Sequence, residues 1–398
     1  MINVVKIKVQ SKYVTKYKNG YPLVHRDMIV DDHLLKKEGS IFYLVDQHQQ
    51  FIAKAYYGKQ NKGIGWILSR KKEEKIDFNF FKEKINAAIQ KRKHLFNDQN
   101  TNAFRVFNGE GDGIGGLTID YFDGFYLINW YSQGIFSFKD DVIRTLDELA
   151  NYTGIYQKKR FNTEGQYIDD DDFVKGKRGE FPIIVKENGM NYAVYLNDGA
   201  MVGIFLDQRE VRKAIRDQYS KDKHVLNTFS YTGAFSVAAA IGGAAKTTSV
   251  DLAKRSKSKT IEHFSVNGID YEQQDIIVMD VFDYFKYANR KKLKFDLVIL
   301  DPPSFARSKK HTFRAAKDYT KLVKDTITIT EKNGIIAAST NNATFGMKKF
   351  KGFIDRAFKE TGDKYEILRE YTLPSDFKVL DGFLQGNYLK VVIVKKQT

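Results

Sequence analysis

The chain has 398 residues, and at roughly 150 residues per domain that length accommodates two to three domains. Hydrophobic residues at 42% and aromatics at 14% are enough for packed cores and exclude a largely disordered chain. Lys+Arg 65 against Asp+Glu 49 leaves +16, which points to an anionic partner, and the absence of cysteine excludes disulfides, Cys-ligated zinc, iron–sulfur clusters and any cysteine nucleophile.

The first 75 residues carry 15 Lys+Arg and 7 Asp+Glu, half the positive excess in under a fifth of the chain. They read as short strands: Val4–Val9 alternates, Ser40–Val45 and Phe51–Tyr57 follow, and the turn residues 61–65 precede Trp66–Ser69. A small basic β module with aromatics is a common RNA-binding format, with Lys6 and Lys8 as candidate RNA contacts. The alternative is a solvated β domain that is basic for solubility. From Phe78 to about Phe96 the apolar positions Phe81, Ile85, Ala88 and Ile89 fall at helical spacing, and Lys91–His94 places cations at the helical C-terminus. The glycine-rich run Asn108–Gly116 then predicts a tight, hairpin-like loop between two strands. A phosphate cradle fits it less well, since no helix begins directly after it and Glu110 and Asp112 repel phosphate. The acidic run Asp169–Asp172 is read as a solvated loop marking a boundary near residue 175.

From about His224 strand and helix patterns alternate, which predicts a parallel sheet covered by helices. Val225–Phe229, Lys246–Asp251, Asp275–Asp280, Phe295–Asp301 and Gly334–Thr340 read as successive strands, with a helix opening at Ala234–Ile241. Tyr365–Leu373 and Tyr388–Lys395 close the chain as two strands able to pair antiparallel. The second, third and fourth of the five strands end on Asp251, Asp280 and Asp301. Ligands of open α/β sheets bind outside the carboxyl ends of the strands, where a carboxylate accepts from ribose hydroxyls or a base amino group. Surface caps at strand ends are the alternative.

The loop Ser230-Tyr231-Thr232-Gly233 holds a single glycine, whereas a dinucleotide loop needs three to admit a pyrophosphate. Bulky Tyr231 suits a nucleoside without phosphates, and S-adenosylmethionine is such a ligand. Asp301-Pro302-Pro303-Ser304-Phe305 follows the buried fourth strand. Two prolines fix φ near −65° and remove two N–H groups, making a rigid turn beside the cofactor. Phe305 offers a face on which a flipped base can stack, and Lys309 and Lys310 add cations for an RNA backbone. The histidines and Met347 show no metal-ligand spacing, so no metal is expected.

Asn-Gly-Glu-x-Asp-Gly at 108–113, Gly-x-Phe-Leu-Asp-Gln-Arg at 203–209, the run 226–237, Val-Asp at 250–251 and Asp-Pro-Pro-Ser-Phe at 301–305 resemble the PUA-domain-containing class I methyltransferases of bacterial 23S ribosomal RNA. The resemblance implies an α/β fold in three parts: a PUA β-barrel module over 1–73, a small α/β middle domain over 74–180, and a Rossmann-like methyltransferase domain over 181–398. It also implies that Phe205, Asp207, Gln208 and Arg209 form a strand-and-cap element over the cofactor. The implied donor site then comprises Phe205, Gln208, Arg209, Asn227, Phe229, Tyr231, Thr232, Gly233, Asp251, Asp280, Val281 and Asp301. Asp301, Pro302, Pro303 and Phe305 make the catalytic turn.

One branch of that family makes 5-methylcytosine through a cysteine thiolate, expected where this chain has Ser339-Thr340-Asn341-Asn342; with no cysteine that route is closed. A guanine-N7 branch is similar in its Asp-Pro-Pro-x-Phe-x-x-Ser-Lys run and its Ser-Asn-Asn-like tail. N7 of guanine carries an in-plane lone pair, so alignment suffices and no base or covalent residue is required. Asn341 and Asn342 are candidates for the guanine edge, a helix cap being the alternative for either. The expected partner is 23S rRNA or a large-subunit precursor, in the cytoplasm, with no membrane and with room for a homodimer. Transfer to another base nitrogen and a non-catalytic role in ribosome assembly remain alternatives.

Overall fold

Period-two burial shapes the first N-terminal strand: in Val5–Lys8, Ile7 is buried while Lys6 and Lys8 face solvent. The computed structural model describes residues 4–60, 63–161, 172–199, 201–307 and 311–397. Two compact units emerge, one of Met1–Ile183, Tyr195–Val202 and Ser375–Gly386, the other of Ile184–Val194, Gly203–Pro374 and Asn387–Thr398.

In the first unit, β1 (Val5–Lys8), β2 (Leu23–Val24), β3 (Ile41–Val45), β4 (Phe51–Tyr57) and β5 (Gly65–Ser69) form a sheet in the order β1-β3-β4-β5-β2. A reading of this stretch as strands alone passes over α1 (Ser11–Lys18), which buries Tyr17. Next come α2 (Phe78–Lys91), with Asp77 accepting from the N–H of Asn79 and Phe80, and α3 (Lys93–Phe96). The predicted single helix over 78–96 is therefore interrupted. Arg92 is not a solvated terminal cation: its guanidinium turns inward to pair with Asp112 at 2.7 Å, both side chains almost wholly buried.

A second sheet, β6 (Ala103–Asn108), β7 (Leu117–Phe122), β8 (Phe125–Trp130), β9 (Gly154–Lys159) and β10 (Phe173–Gly176), runs in the order β10-β9-β8-β7-β6. Helices α4 (Gln133–Phe136) and α5 (Lys139–Leu149) make the crossover between β8 and β9, the parallel pair. The glycine-rich run joins antiparallel β6 and β7. Its Gly115 lies so close to the Trp66 ring that a Cβ would collide with it, and Tyr56 donates to its carbonyl at 2.7 Å. Apolar residues of both sheets form one continuous core. Of the acidic run only Asp172 is described; it is buried and paired with buried Lys158, which corrects its reading as a solvated residue. The opposite charge of Lys158 offsets part of the desolvation cost that both groups carry.

The second unit opens with the hairpin of β11 (Ile183–Glu187) and β12 (Met190–Val194), then α6 (Arg209–Ala214). β13 (His224–Thr228), α7 (Ala234–Ile241), β14 (Lys246–Asp251), α8 (Lys254–Ser265), β15 (Asp275–Val278), α9 (Val281–Arg290) and β16 (Phe295–Leu300) alternate as predicted. A short hairpin, β17 (Phe305–Arg307) and β18 (Thr312–Arg314), precedes α10 (Ala315–Ile327), β19 (Thr330–Thr340), α11 (Met347–Thr361), β20 (Tyr365–Tyr371) and β21 (Lys390–Lys396). The seven-stranded sheet has the order β15-β14-β13-β16-β19-β21-β20. Its first five strands are parallel, and β21 pairs antiparallel with both β19 and β20. The chain reverses direction across the sheet between β13 and β16, which opens a crevice at their carboxyl ends.

Candidate active site

That crevice is a cavity of ≈ 330 Å³, within the size range of small-molecule sites. The loop after β13 forms one wall. Phe229 (φ 54°), Tyr231 (φ 52°) and Gly233 (φ 75°) all adopt left-handed backbone there, a local cost of order 1 kcal/mol for each of the two aromatic residues. The loop is held from several sides: the Tyr231 N–H donates to Asp251 Oδ2 at 2.9 Å, and the Thr232 hydroxyl donates to the Gly203 carbonyl at 2.7 Å. Buried His263 lies against the Thr232 and Ala193 carbonyls, and burial pulls its pKa down.

Asp251 and Asp280 line the cavity at the ends of β14 and β15. Both also cap backbone: Asp251 Oδ1 accepts from the Ala253 N–H, and Asp280 Oδ1 accepts from the Phe282 N–H at the start of α9. Capping and ligand binding are thus not exclusive, since each carboxylate oxygen has a second lone pair. Asp301 forms the facing wall with Pro302 and Pro303. Its Oδ1 accepts from Gln208 Nε2 at 3.0 Å and from the Ser339 hydroxyl, and its Oδ2 has no hydrogen bond among the described residues. Desolvation pushes its carboxyl up to about 6, only partly offset by those donors. Gln208 Oε1 is a buried acceptor without a partner. A free carboxylate oxygen and an orphaned amide acceptor on one cavity fit a ligand that carries an ammonium group.

Of the residues expected at the donor site, Phe205, Gln208, Phe229, Tyr231, Thr232, Asp251, Asp280, Val281 and Asp301 line this one cavity, together with Pro302, Pro303 and Asn341. Arg209, Asn227 and Gly233 are not on its wall. The Asn227 amide points to the Ser236 hydroxyl of α7, and Gly233 packs against Thr260, which a Cβ would meet at 2.5 Å. Arg209 is buried as the first residue of α6. Segment 205–209 contains no strand: Phe205 is extended, Leu206–Gln208 forms a 3-10 turn, and α6 follows. The expected strand-and-cap element is corrected to a cap alone, because Leu206, Val211 and Ile215 fall near helical spacing and bury one face.

Phe305 is 55% exposed and stands outside the lining, its ring 6.0 Å from the Arg314 guanidinium. Lys309 and Lys310 lie outside the described residues, and Lys6 and Lys8 belong to the other unit. Asn342 caps its own turn, with Oδ1 accepting from the Thr344 N–H and hydroxyl. Arg212, Phe282, Arg307, His311 and Phe313 line the cavity without having been singled out. Phe282 sits two residues beyond Asp280, a signal within reach; the others converge from distant segments. Asp280, Asp283 and His311 bring one potential ligand atom each within 4.8 Å of one another, a grouping that no spacing in the sequence announces.

A family model described as S-adenosylmethionine-dependent methyltransferase matches residues 104–377, more than half the chain. The chain belongs to that family. S-adenosylmethionine is its methyl donor, and a model described as a PUA-like domain matches residues 7–70. The chain is 61% identical over 393 residues to a Bacillus subtilis protein carried under the provisional name ribosomal RNA large subunit methyltransferase YwbD, covering 98% of this methyltransferase and 99% of the relative. It is 28% identical over 374 residues to ribosomal RNA large subunit methyltransferase I of Alteromonas mediterranea, covering 94% of each. Among solved structures, SMU.776, provisionally assigned as a methyltransferase and complexed with SAH, superposes with a TM-score of 0.91 at 40% identity, covering 98% of this chain and 100% of that one. A provisionally assigned SAM-dependent methyltransferase from Streptococcus mutans gives a TM-score of 0.90 at 39% identity, covering 98% of this chain and 100% of that one. Among the described residues no helix is long and apolar enough to cross a membrane.

Proposed function

We propose that this methyltransferase acts on 23S rRNA and transfers the methyl group to N7 of a guanine by direct attack. One observation carries the choice of atom: a donor cavity with a rigid Asp-Pro-Pro wall in a chain without cysteine. Carbon methylation of cytosine needs a covalent adduct at C6, and threonine or serine hydroxyls are not ionised near neutrality. A ring nitrogen with an in-plane lone pair needs only placement. The choice of RNA rests on the names of the relatives and on the basic N-terminal module.

In this reading the loop Phe229–Thr232 seats the adenosine, Asp251 accepts from the ribose hydroxyls, and Asp280 with Val281 faces the adenine edge. Asp301 Oδ2 and Gln208 Oε1 take the ammonium, with Phe205 closing over the donor. The bound sulfonium supplies an electrophilic methyl. Pro302 and Pro303 keep the turn from moving as the guanine N7 lone pair approaches to about 3–3.5 Å, in line with the carbon–sulfur bond. Transfer would form the N–C bond as the C–S bond breaks and would move the positive charge from sulfur to the purine, so no residue of the chain would have to remove a proton. Phe305, backed by Arg314, offers a stacking face for a base of the RNA.

Nucleoside mass spectrometry of ribosomal RNA from cells with and without the gene tests this reading. One 7-methylguanosine per large-subunit RNA is expected to vanish on deletion and return with the purified protein. A missing 5-methylcytosine or N-methyladenosine instead would end it. Exchanging exposed Lys6 and Lys8 for alanine is expected to weaken RNA binding and to lower the slope of log affinity against log salt by about 1 per lost phosphate contact. An unchanged slope in filter binding would detach β1 from the RNA.

A further inference from the structure

The cavity has two halves with different chemistry. Asp251 and Asp280, at the ends of β14 and β15, flank the aromatic loop after β13, whereas Asp301 and Asn341 stand beyond the ends of β16 and β19. If the nucleoside of the donor takes the first half, the acceptor base is left with the second. Asn341 is the cavity-lining side-chain amide of that second half that is not already tied to Asp301.

Its orientation is set from outside the cavity. The Ser304 hydroxyl donates to Asn341 Oδ1 at 2.7 Å, which occupies the acceptor end of the amide, and Nδ2 makes no hydrogen bond among the described residues. Ser304 is itself held, because its carbonyl accepts from the Ala315 N–H at 3.0 Å where α10 begins. On the other side the backbone is anchored one residue on: Lys390 Nζ, in a side chain only 3% exposed, donates to the Asn342 carbonyl at 2.9 Å. With its oxygen already accepting from a hydroxyl, the amide's wholly unengaged part is its pair of N–H donors. Such a group favours an oxygen acceptor over an amino group.

We infer that Asn341 selects the target base by donating to guanine O6, and that Ser304 is the positioning residue that holds the amide in place at the cavity wall. Adenine carries an amino group at the corresponding position, so a donor facing a donor excludes it. The inference rests on the guanine-N7 reading and extends it to the choice of base. It separates two neighbouring residues with the same side chain: Asn341 lines the cavity, whereas Asn342 stands outside the lining with its Oδ1 accepting from its own turn.

The test is a chemical double-mutant cycle on an RNA fragment that carries the mapped target, as guanine or as 2-aminopurine, which keeps N7 and lacks O6. Wild-type single-turnover transfer is expected to fall about 10- to 100-fold on 2-aminopurine, beyond the intrinsic change in N7 nucleophilicity, which cancels in the cycle. Asn341→Ala should lose a similar factor on guanine and little more on 2-aminopurine. Asn341→Asp should be worse than alanine on guanine, its carboxylate facing O6. Ser304→Ala should fall in between and Ser304→Thr should recover, with donor affinity by calorimetry unchanged in both. Losses that simply multiply, or normal transfer by Asn341→Ala, overturn the inference. If the wild-type product is not 7-methylguanosine, the underlying reading fails before the cycle is run; if it is and the losses multiply, only the role of Asn341 falls.

Discussion

Replacing Asp301 with asparagine is expected to cut methyl transfer about 10²- to 10³-fold while making the donor-free protein more stable. The amide retains the oxygen that accepts from Gln208 and Ser339, so the wall keeps its hydrogen bonds. What disappears is the charge on Oδ2, which in the proposed reading faces the donor's ammonium. The carboxyl sits at about 6, above its ordinary value of 3.8, because desolvation disfavours the anion. A group raised in the folded state stabilises fully only below its unfolded pKa, and that stability is lost as pH rises from about 4 through about 6. Above pH 6 the wild type therefore carries a penalty that the asparagine variant lacks, of about 1–2 kcal/mol after allowance for partial solvent screening. Thermal unfolding at pH 7.5 should place the variant above the wild type without donor, and donor should narrow the gap. Donor affinity and kcat/KM of the wild type should rise with pH through about 6 and then level off. A pH-independent profile between 5 and 7.5, or an asparagine variant of normal rate, would falsify the role given to Oδ2.

Losing Arg212 should be the most damaging single change to the fold of the second unit, at about 3–5 kcal/mol. The Arg212 guanidinium meets Glu187 through two hydrogen bonds of 2.7 Å, and both side chains are within 2% of complete burial. It also donates to the Phe205 carbonyl at 2.7 Å, which ties the cap of the cavity to the hairpin β11–β12. Glu187→Gln or Arg212→Met leaves one buried group facing an unmatched partner. Glu187→Leu with Arg212→Met removes both charges and should restore most of the stability, as matched apolar pairs do. It should not restore donor affinity, since the Phe205 carbonyl still lacks its donor. Hydrogen exchange of the Ile184–Val194 and Gly203–Ala214 backbone, measured beside donor binding, separates the two effects. Full recovery of donor binding by the double variant would show that the pair serves the fold and not the cap.

The carboxylates at the strand ends were legible because a parallel sheet sends the end of every strand to one edge. Asp251, Asp280 and Asp301 needed no more than strand registration to be brought together. The rigid turn at Pro302-Pro303 was legible for a local reason, since proline restricts its own backbone, whereas the left-handed backbone of Phe229, Tyr231 and Gly233 came only with the structure. Asn227 and Arg209 misled because a motif records which residues recur near a site, not the direction of their side chains. Asn227 follows strand alternation away from the crevice toward Ser236. Arg92 was read only as one cation of a run at a helix C-terminus, and its pairing with Asp112 in the core had no signal in the spacing.

Composition, spacing and alternation alone determined a sheet-and-helix donor domain behind a basic β module, a single-glycine nucleoside loop, and a chemistry closed to cysteine. Those properties are local or additive along the chain. Which of two adjacent asparagines lines the cavity, why burial pushes the Asp301 carboxyl up to about 6, and how Arg212, His311 and Phe313 enter the cavity wall came only with folding. Each depends on the distance and direction between groups far apart in sequence, and burial and hydrogen-bond direction exist only once those segments have met.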